Sequence, residues 1–153
     1  MPKFGYKSNL DLNEKVLIAV VRVSEIYKKD CSSIFRNYGL TFAQYTVLRV
    51  LEASVDGRNT MSNVGRVMLV SGANMTGIAK RLEKSGFLVR KKDPSDDRLT
   101  ILEITSKGHQ ALADIELEKN ALLERYLEGY TDDRKQDLLE GLKKILYRTN
   151  SVT

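Results

Sequence analysis

From Leu10 to Tyr38 apolar side chains recur at helical spacing, at Leu10, Leu17, Val20, Val21, Tyr27, Cys31, Ile34 and Phe35, and neither Pro nor Gly interrupts before Arg36. That spacing predicts one long helix, closed by Asn37-Tyr38-Gly39, where glycine suits a left-handed C-terminal position. Thr41 and Gln44 then form a capping-box pair, with Leu40 and Tyr45 placed as its hydrophobic staple. Val47, Leu48, Val50 and Leu51 carry this second helix to about Ala53, and Asp56-Gly57 turns the chain. Two helices follow in quick succession, from Ser62 to about Met68 and from Ser71 to about Ser85, with only Leu69-Val70 between them. Ser62 and Ser71 stand where N-caps are wanted, and Gly86 ends the second helix.

The period then switches. Phe87 to Arg90 and Leu99 to Ile104 read as strands rich in β-branched residues, around a polar loop from Lys91 to Arg98 that contains Pro94. Thr105 caps a helix reaching about Gly129, and Thr131 opens the last one, with Asp132 and Asp133 matching its positive end. The pattern predicts a mainly α chain with a small β-hairpin wing. The terminal helices carry aliphatic faces: Leu17, Val20, Val21 and Tyr27 in the first, and Leu112, Ile115, Leu122, Leu123, Tyr126, Leu138, Leu142 and Ile145 in the last two. A small domain does not easily bury such faces alone, so a homodimer built from the two ends is expected over packing within one chain.

Composition narrows the class. The 153 residues are 42% apolar and 29% charged, with a net charge of +5, which fits one soluble globular domain over 1–153. The longest aliphatic run, Val16 to Val21, is far short of the ~18 residues that span a bilayer. The first ten residues, with Lys3 and Lys7 and no apolar stretch, lack the pattern of a secretory signal, so a cytoplasmic protein with no membrane partner is expected. Cys31 is the single cysteine and can form no internal disulfide. Residues 1–59 hold nine basic and six acidic side chains, residues 60–109 nine and five, and residues 110–153 seven and nine. A basic middle beside an acidic tail fits a polyanion-facing segment on a supporting scaffold, although a solvated surface reads the same way on charge alone.

Two short helices joined tightly and followed by a basic hairpin make a winged helix-turn-helix. The second helix fits a major groove, which admits one α-helix. Its N-terminal residues Ser71, Gly72, Asn74, Thr76 and Gly77 are small or hydrogen-bonding, and the helix start itself favours a phosphate. Lys80, Arg81 and Lys84 lie on later turns, within reach of backbone phosphates. Ala73, Met75, Ile78, Ala79 and Leu82 form the mostly inward face, with Ala73 or Met75 available to a thymine methyl. In the hairpin loop, beside Lys91 and Lys92, Arg98 has the shape and charge for a minor groove, and Asp96 is placed to orient its guanidinium.

These residues carry a resemblance. Leu40-Thr41 with Gln44, the run LVSGANMT from Leu69 to Thr76, RLEKSGF from Arg81 to Phe87, Arg90, Pro94 with Asp96 and Arg98, and Ile104-Thr105 with Gly108 together resemble the MarR family of bacterial transcriptional regulators. The match runs in order over residues 40–108. It implies a winged helix-turn-helix lobe over 40–108 with dimerisation helices at 8–38 and 109–149. It further implies a homodimer whose paired helices enter successive major grooves of a near-palindromic double-stranded operator while the wings probe the flanking minor grooves. Carried over, Asn74, Thr76 and Lys80 are base or phosphate contacts, and Asp96 and Arg98 are the wing pair. Asp97 departs from the family pattern, which often has a second basic residue there. The resemblance also implies a small aromatic ligand that relieves repression, with Tyr27, Phe35, Tyr38 and Tyr45 as candidate lining residues or, singly, ordinary core residues.

Other chemistries find little material. Cys31 lies near the end of its helix among Tyr27, Ile34 and Phe35, the setting of a small hydrophobe rather than a redox sensor. His109 is the only histidine and is remote in sequence from Cys31, so no metal or cofactor is expected. There is no phosphate-binding glycine loop, nucleophile elbow or paired nucleophile and base, so no enzymatic activity is expected. Two rival readings stand beside the regulator: a winged-helix module docking an acidic protein partner, and a ligand-binding dimer with residual DNA affinity.

Overall fold

The computed structural model describes residues 9–150. Lys3, Lys7 and the start of the 8–38 segment therefore lie outside the described residues. Helix α1 spans Leu12–Arg36, capped by the Asp11 carboxylate on the Glu14 amide. Helix α2 spans Phe42–Glu52, and its capping box is complete: Thr41 Oγ1 accepts from the Gln44 amide and Gln44 Oε1 accepts from the Thr41 amide. A single 3-10 turn at Val55–Gly57 leads into strand β1, Arg58–Thr60. Helices α3, Met61–Val67, and α4, Gly72–Lys84, precede strands β2, Leu88–Lys92, and β3, Thr100–Ile104. Helices α5, Ser106–Tyr126, and α6, Asp132–Asn150, complete the chain.

Three local expectations are corrected. The N-cap of α3 is Thr60, whose hydroxyl accepts from the Asn63 amide, and Ser62 lies inside the first turn. A third strand exists: β1 pairs antiparallel with β3, Asn59 opposite Leu102, giving the sheet order β1-β3-β2. Lys91 and Lys92 belong to β2 rather than the loop, opposite Ile101 and Thr100.

Two compact units divide the chain after Glu116, within α5. In the first, Phe35, Leu40, Leu48, Leu51, Val64, Met75, Leu82, Leu88, Leu102 and Ile115 are buried and form the core. Ala79 and Ile78 point inward with them. The inner face of the hairpin is set by the pairs Leu88 with Ile104 and Arg90 with Leu102, apolar near the helix end and polar toward the tip. Gly108 seats the start of α5: a Cβ there would stand 2.4 Å from the Phe87 carbonyl oxygen. In the second unit, α5 ends at Tyr126, Gly129 with a φ of +79° turns the chain into α6, and Arg134 lies over the Tyr130 ring.

The aliphatic faces divide in two. Leu112, Ile115 and Leu122 are buried within the chain, so they are core rather than available surface. Leu17, Val20 and Val21 on α1, and Leu138 and Ile145 on α6, are exposed, with Leu12, Val16, Val23 and Ile26 extending the α1 stripe.

Candidate nucleic-acid interface

Helix α4 is built to stand with one edge bare. Ser71 caps it, its hydroxyl accepting from the Asn74 amide, which satisfies one of the free amides at the helix start. Met75, Ile78, Ala79 and Leu82 are buried, a spacing that locks one side of the helix to the core. Ser71, Gly72, Ala73, Asn74, Lys80, Arg81 and Lys84 are exposed, and Thr76 is half-buried with its hydroxyl donating to the Gly72 carbonyl. Ala73 thus faces outward and can meet a methyl group, whereas Met75 is 1% exposed and cannot. The Arg81 guanidinium lies beside Gly77, within 3.8 Å of where a Cβ would be. At 13 residues α4 is about 20 Å long.

The connection from α3 to α4 is unusually close. Leu69 adopts φ +54°, its amide donating to Arg66 and the Val70 amide donating to the Gly65 carbonyl, a Schellman ending with leucine in the left-handed position. Gly65 has space for little else, since a Cβ would lie 3.3 Å from the Val70 carbonyl. A shallow, mostly apolar recess of about 370 Å³ opens between the helices beside Met61, Gly65, Val70, Gly72 and Thr76.

At the hairpin tip, Arg98 donates from its backbone amide and Nε to one Asp96 oxygen, both at 3.0 Å, and from Nη2 to the other at 3.2 Å. The Arg98 hydrogen bonds hold the Asp96 carboxyl below the ordinary range, and Ser95 does the same for Asp93. The Arg98 side chain nevertheless remains 89% exposed, held in direction but open to solvent. Lys92 donates to the Asp97 carbonyl, which pins the tip without using the Asp97 carboxylate. Lys91 is engaged elsewhere: its ammonium sits 2.7 Å from Glu103, which lowers the Glu103 pKa.

An ion pair joins helix and hairpin, and the sequence alone assigns it no role. Glu83 on α4 accepts from Arg90 on β2 twice, from Nε and from the backbone amide, and Arg90 Nη2 lies 2.7 Å from the carboxylate as part of the ion pair. Those hydrogen bonds, the guanidinium first, hold Glu83 below the ordinary glutamate value. The only hint was their placement on either side of the Gly86 bend.

The aromatic candidates cluster at the α1–α2 contact. Phe35 stacks on Tyr45 at 3.9 Å between centroids and on Phe42 at 6.0 Å, and Tyr27 meets the Phe42 edge at 6.2 Å. Phe42 joins this cluster although the sequence reading passed over it. Phe35 is fully enclosed, and burial pushes the Tyr45 hydroxyl pKa up against the opposing pull of Arg49. Tyr27 and Tyr38 are half-buried.

Against known proteins, the profile of the MarR family matches residues 38–99. YkoM of Bacillus subtilis, an HTH-type transcriptional regulator, is 28% identical over 88% of this chain and 91% of its own. Sco3205 of Streptomyces coelicolor, a MarR family regulator solved in complex with DNA, superposes with a TM-score of 0.81 at 18% identity, covering 93% of this chain and 91% of that one. CouR of Rhodococcus jostii, solved with p-coumaroyl-CoA bound, superposes at 0.78 and 24% identity over 90% and 95%. At these identities the structural likenesses establish the winged-helix fold.

Proposed function

We propose that this chain is a MarR family regulator, a sequence-specific double-stranded DNA-binding protein that works as a homodimeric transcriptional repressor in the cytoplasm. The observation that carries this reading is the pairing, in one compact lobe, of a helix with a bare hydrogen-bonding N-terminal edge and a hairpin that holds an arginine outward. In this reading Ser71, Gly72, Asn74 and Thr76 meet base edges and the nearby backbone. Lys80, Arg81 and Lys84 meet phosphates, and Arg98, oriented by Asp96, enters a minor groove. Lys91 contributes to the positive field rather than to a direct contact, since Glu103 holds it.

The exposed apolar stripe on α1 and the exposed Leu138 and Ile145 on α6 support a dimer assembled from the chain ends. Two lobes set about 34 Å apart then read a near-palindromic operator on one face of B-DNA. A small aromatic ligand near Tyr27 and Tyr38, over the enclosed Phe35 and Tyr45, would relieve repression by changing that spacing. CouR holds p-coumaroyl-CoA, whose acyl end carries a phenol ring, which supports an aromatic group in such a ligand.

Fluorescence anisotropy with the duplex upstream of the chain's own gene, against a scrambled duplex across a salt series, tests the reading. Preference of at least ~10³ for the native duplex is expected. Equal, weak and steeply salt-dependent binding to both duplexes would reduce the interaction to phosphate attraction and favour an acidic protein partner.

A further inference from the structure

Between α4 and the hairpin, apolar packing stops short of the tip. The inward pairs run from Leu88 with Ile104, through Arg90 with Leu102, to Lys92 with Thr100. Beyond the buried leucines lies a shallow, open groove of about 290 Å³ lined by Glu83, Arg90, Lys91, Lys92 and Thr100. The Glu83–Arg90 pair lies on the wall of this groove, and among the described residues it is the one ion pair that ties α4 to the hairpin. Its side chains are 36% and 29% exposed, so water screens it less than the Arg98–Asp96 pair at the tip.

We propose that Glu83 and Arg90 are positioning residues, a latch that fixes the angle of the hairpin against α4 so that one docking pose presents both the α4 edge and Arg98 to the same duplex. This rests on the DNA-reading function proposed above. The lever arm gives the latch its effect. Arg98 sits roughly 10 Å beyond Arg90 along the hairpin at ~3.4 Å per residue, so a tilt of about 10° at the latch moves the guanidinium by roughly 2 Å. Groove contacts tolerate less than that.

The test is a pair of double-mutant cycles read by anisotropy on a duplex selected from a random library by the wild-type chain. Arg98→Ala and Glu83→Ala are each expected to weaken binding about tenfold, and the double variant to weaken it about tenfold rather than a hundredfold, because a floating tip has no contact left to lose. Asn74→Ala is expected to add its full penalty to Glu83→Ala, since α4 still seats itself. A general loss of fold would instead affect both cycles alike. Additive penalties for Glu83 with Arg98 would overturn the latch. If Glu83→Ala fails to fold, Glu83→Gln replaces it, since its side-chain oxygen still accepts from the Arg90 amide. If the wild-type chain does not prefer the selected duplex to a scrambled one, the DNA-reading function falls and the latch with it.

Discussion

Arg98 and Asp96 form a bidentate pair two residues apart at the tip of the β2–β3 hairpin, with Arg98 Nε and Nη2 on separate carboxylate oxygens at 3.0 and 3.2 Å. The pair spends part of the guanidinium on direction and leaves the rest to solvent. For a residue proposed to enter a narrow groove this matters more than any gain in stability, because an exposed ion pair contributes little to folding. Arg98→Ala is expected to weaken specific DNA binding by about 1–3 kcal/mol and to reduce the slope of log K against log salt by about one. Asp96→Ala removes a negative charge from the tip yet is expected to weaken binding as well, because Arg98 loses its orientation. Anisotropy across a salt series reads both effects; tighter binding by Asp96→Ala would show that the pair competes with DNA instead of preparing for it.

Acid should act on the same region. Glu83, Asp93, Asp96 and Glu103 are all held below their ordinary values, by Arg90, Ser95, Arg98 and Lys91 in turn. Asp93 opposes this slightly at Asp96, and Arg58 adds to it at Glu103. In the window between native and unfolded values the unfolded chain binds more protons, so stability rises with pH there. The stabilisation is complete above the unfolded carboxylate values and is lost as pH falls below about 4 and through the lower native ones. Thermal melts from pH 7 to 3 should therefore fall off on the acid side, and Glu83→Gln should flatten that fall. An unchanged acid slope in Glu83→Gln would mean that the Arg90 pair does not outlast solvent competition.

Gly108 gives a sharper stability test. Besides the Phe87 carbonyl at 2.4 Å, a Cβ there would meet Ile104 Cγ1 at 2.6 Å, and backbone cannot swing away as a side-chain end can. The same Phe87 carbonyl accepts from the Thr105 amide, and the Gly108 amide donates to Thr105 Oγ1, so α5, β3 and the end of the α4 turn meet at one point. Gly108→Ala is expected to cost about 1–3 kcal/mol in urea denaturation. A variant as stable as the parent would mean that α5 starts further from the sheet than the structure places it.

What the sequence disclosed was mostly local. The Thr41–Gln44 box, the Ser71 cap and the Asp96–Arg98 pair each lie within three residues, where side chain and backbone chemistry alone decides the geometry. What escaped it was either non-local or too short to show a period. Strand β1 has three residues and is held by pairing with β3 more than forty positions later. Glu83 and Arg90 meet only because Gly86 reverses the chain, and nothing in their spacing marks an ion pair. Leu112, Ile115 and Leu122 share helical periodicity with surface positions, and periodicity cannot distinguish a face turned to its own core from one turned to a second copy.

Leu69 escaped notice for the opposite reason: the residue present is the wrong one for its conformation. Helices α3 and α4 both end in Schellman turns, with Leu69 and Gly86 in the left-handed position, at φ +54° and +79°. Gly86 adopts that conformation without strain and announces its turn in the sequence, whereas a leucine there carries roughly 1–2 kcal/mol of steric cost. Nor does burial offset the cost, since Leu69 is 79% exposed. Leu69→Asn should therefore stabilise the chain by about 0.5–1 kcal/mol, because asparagine tolerates the left-handed region without adding unfolded-state freedom. Leu69→Gly should gain less, as glycine's larger unfolded entropy takes back about 0.5–1 kcal/mol. Urea denaturation of both variants separates the two contributions. Destabilisation by both would show that Leu69 makes an apolar contact that outweighs its strain.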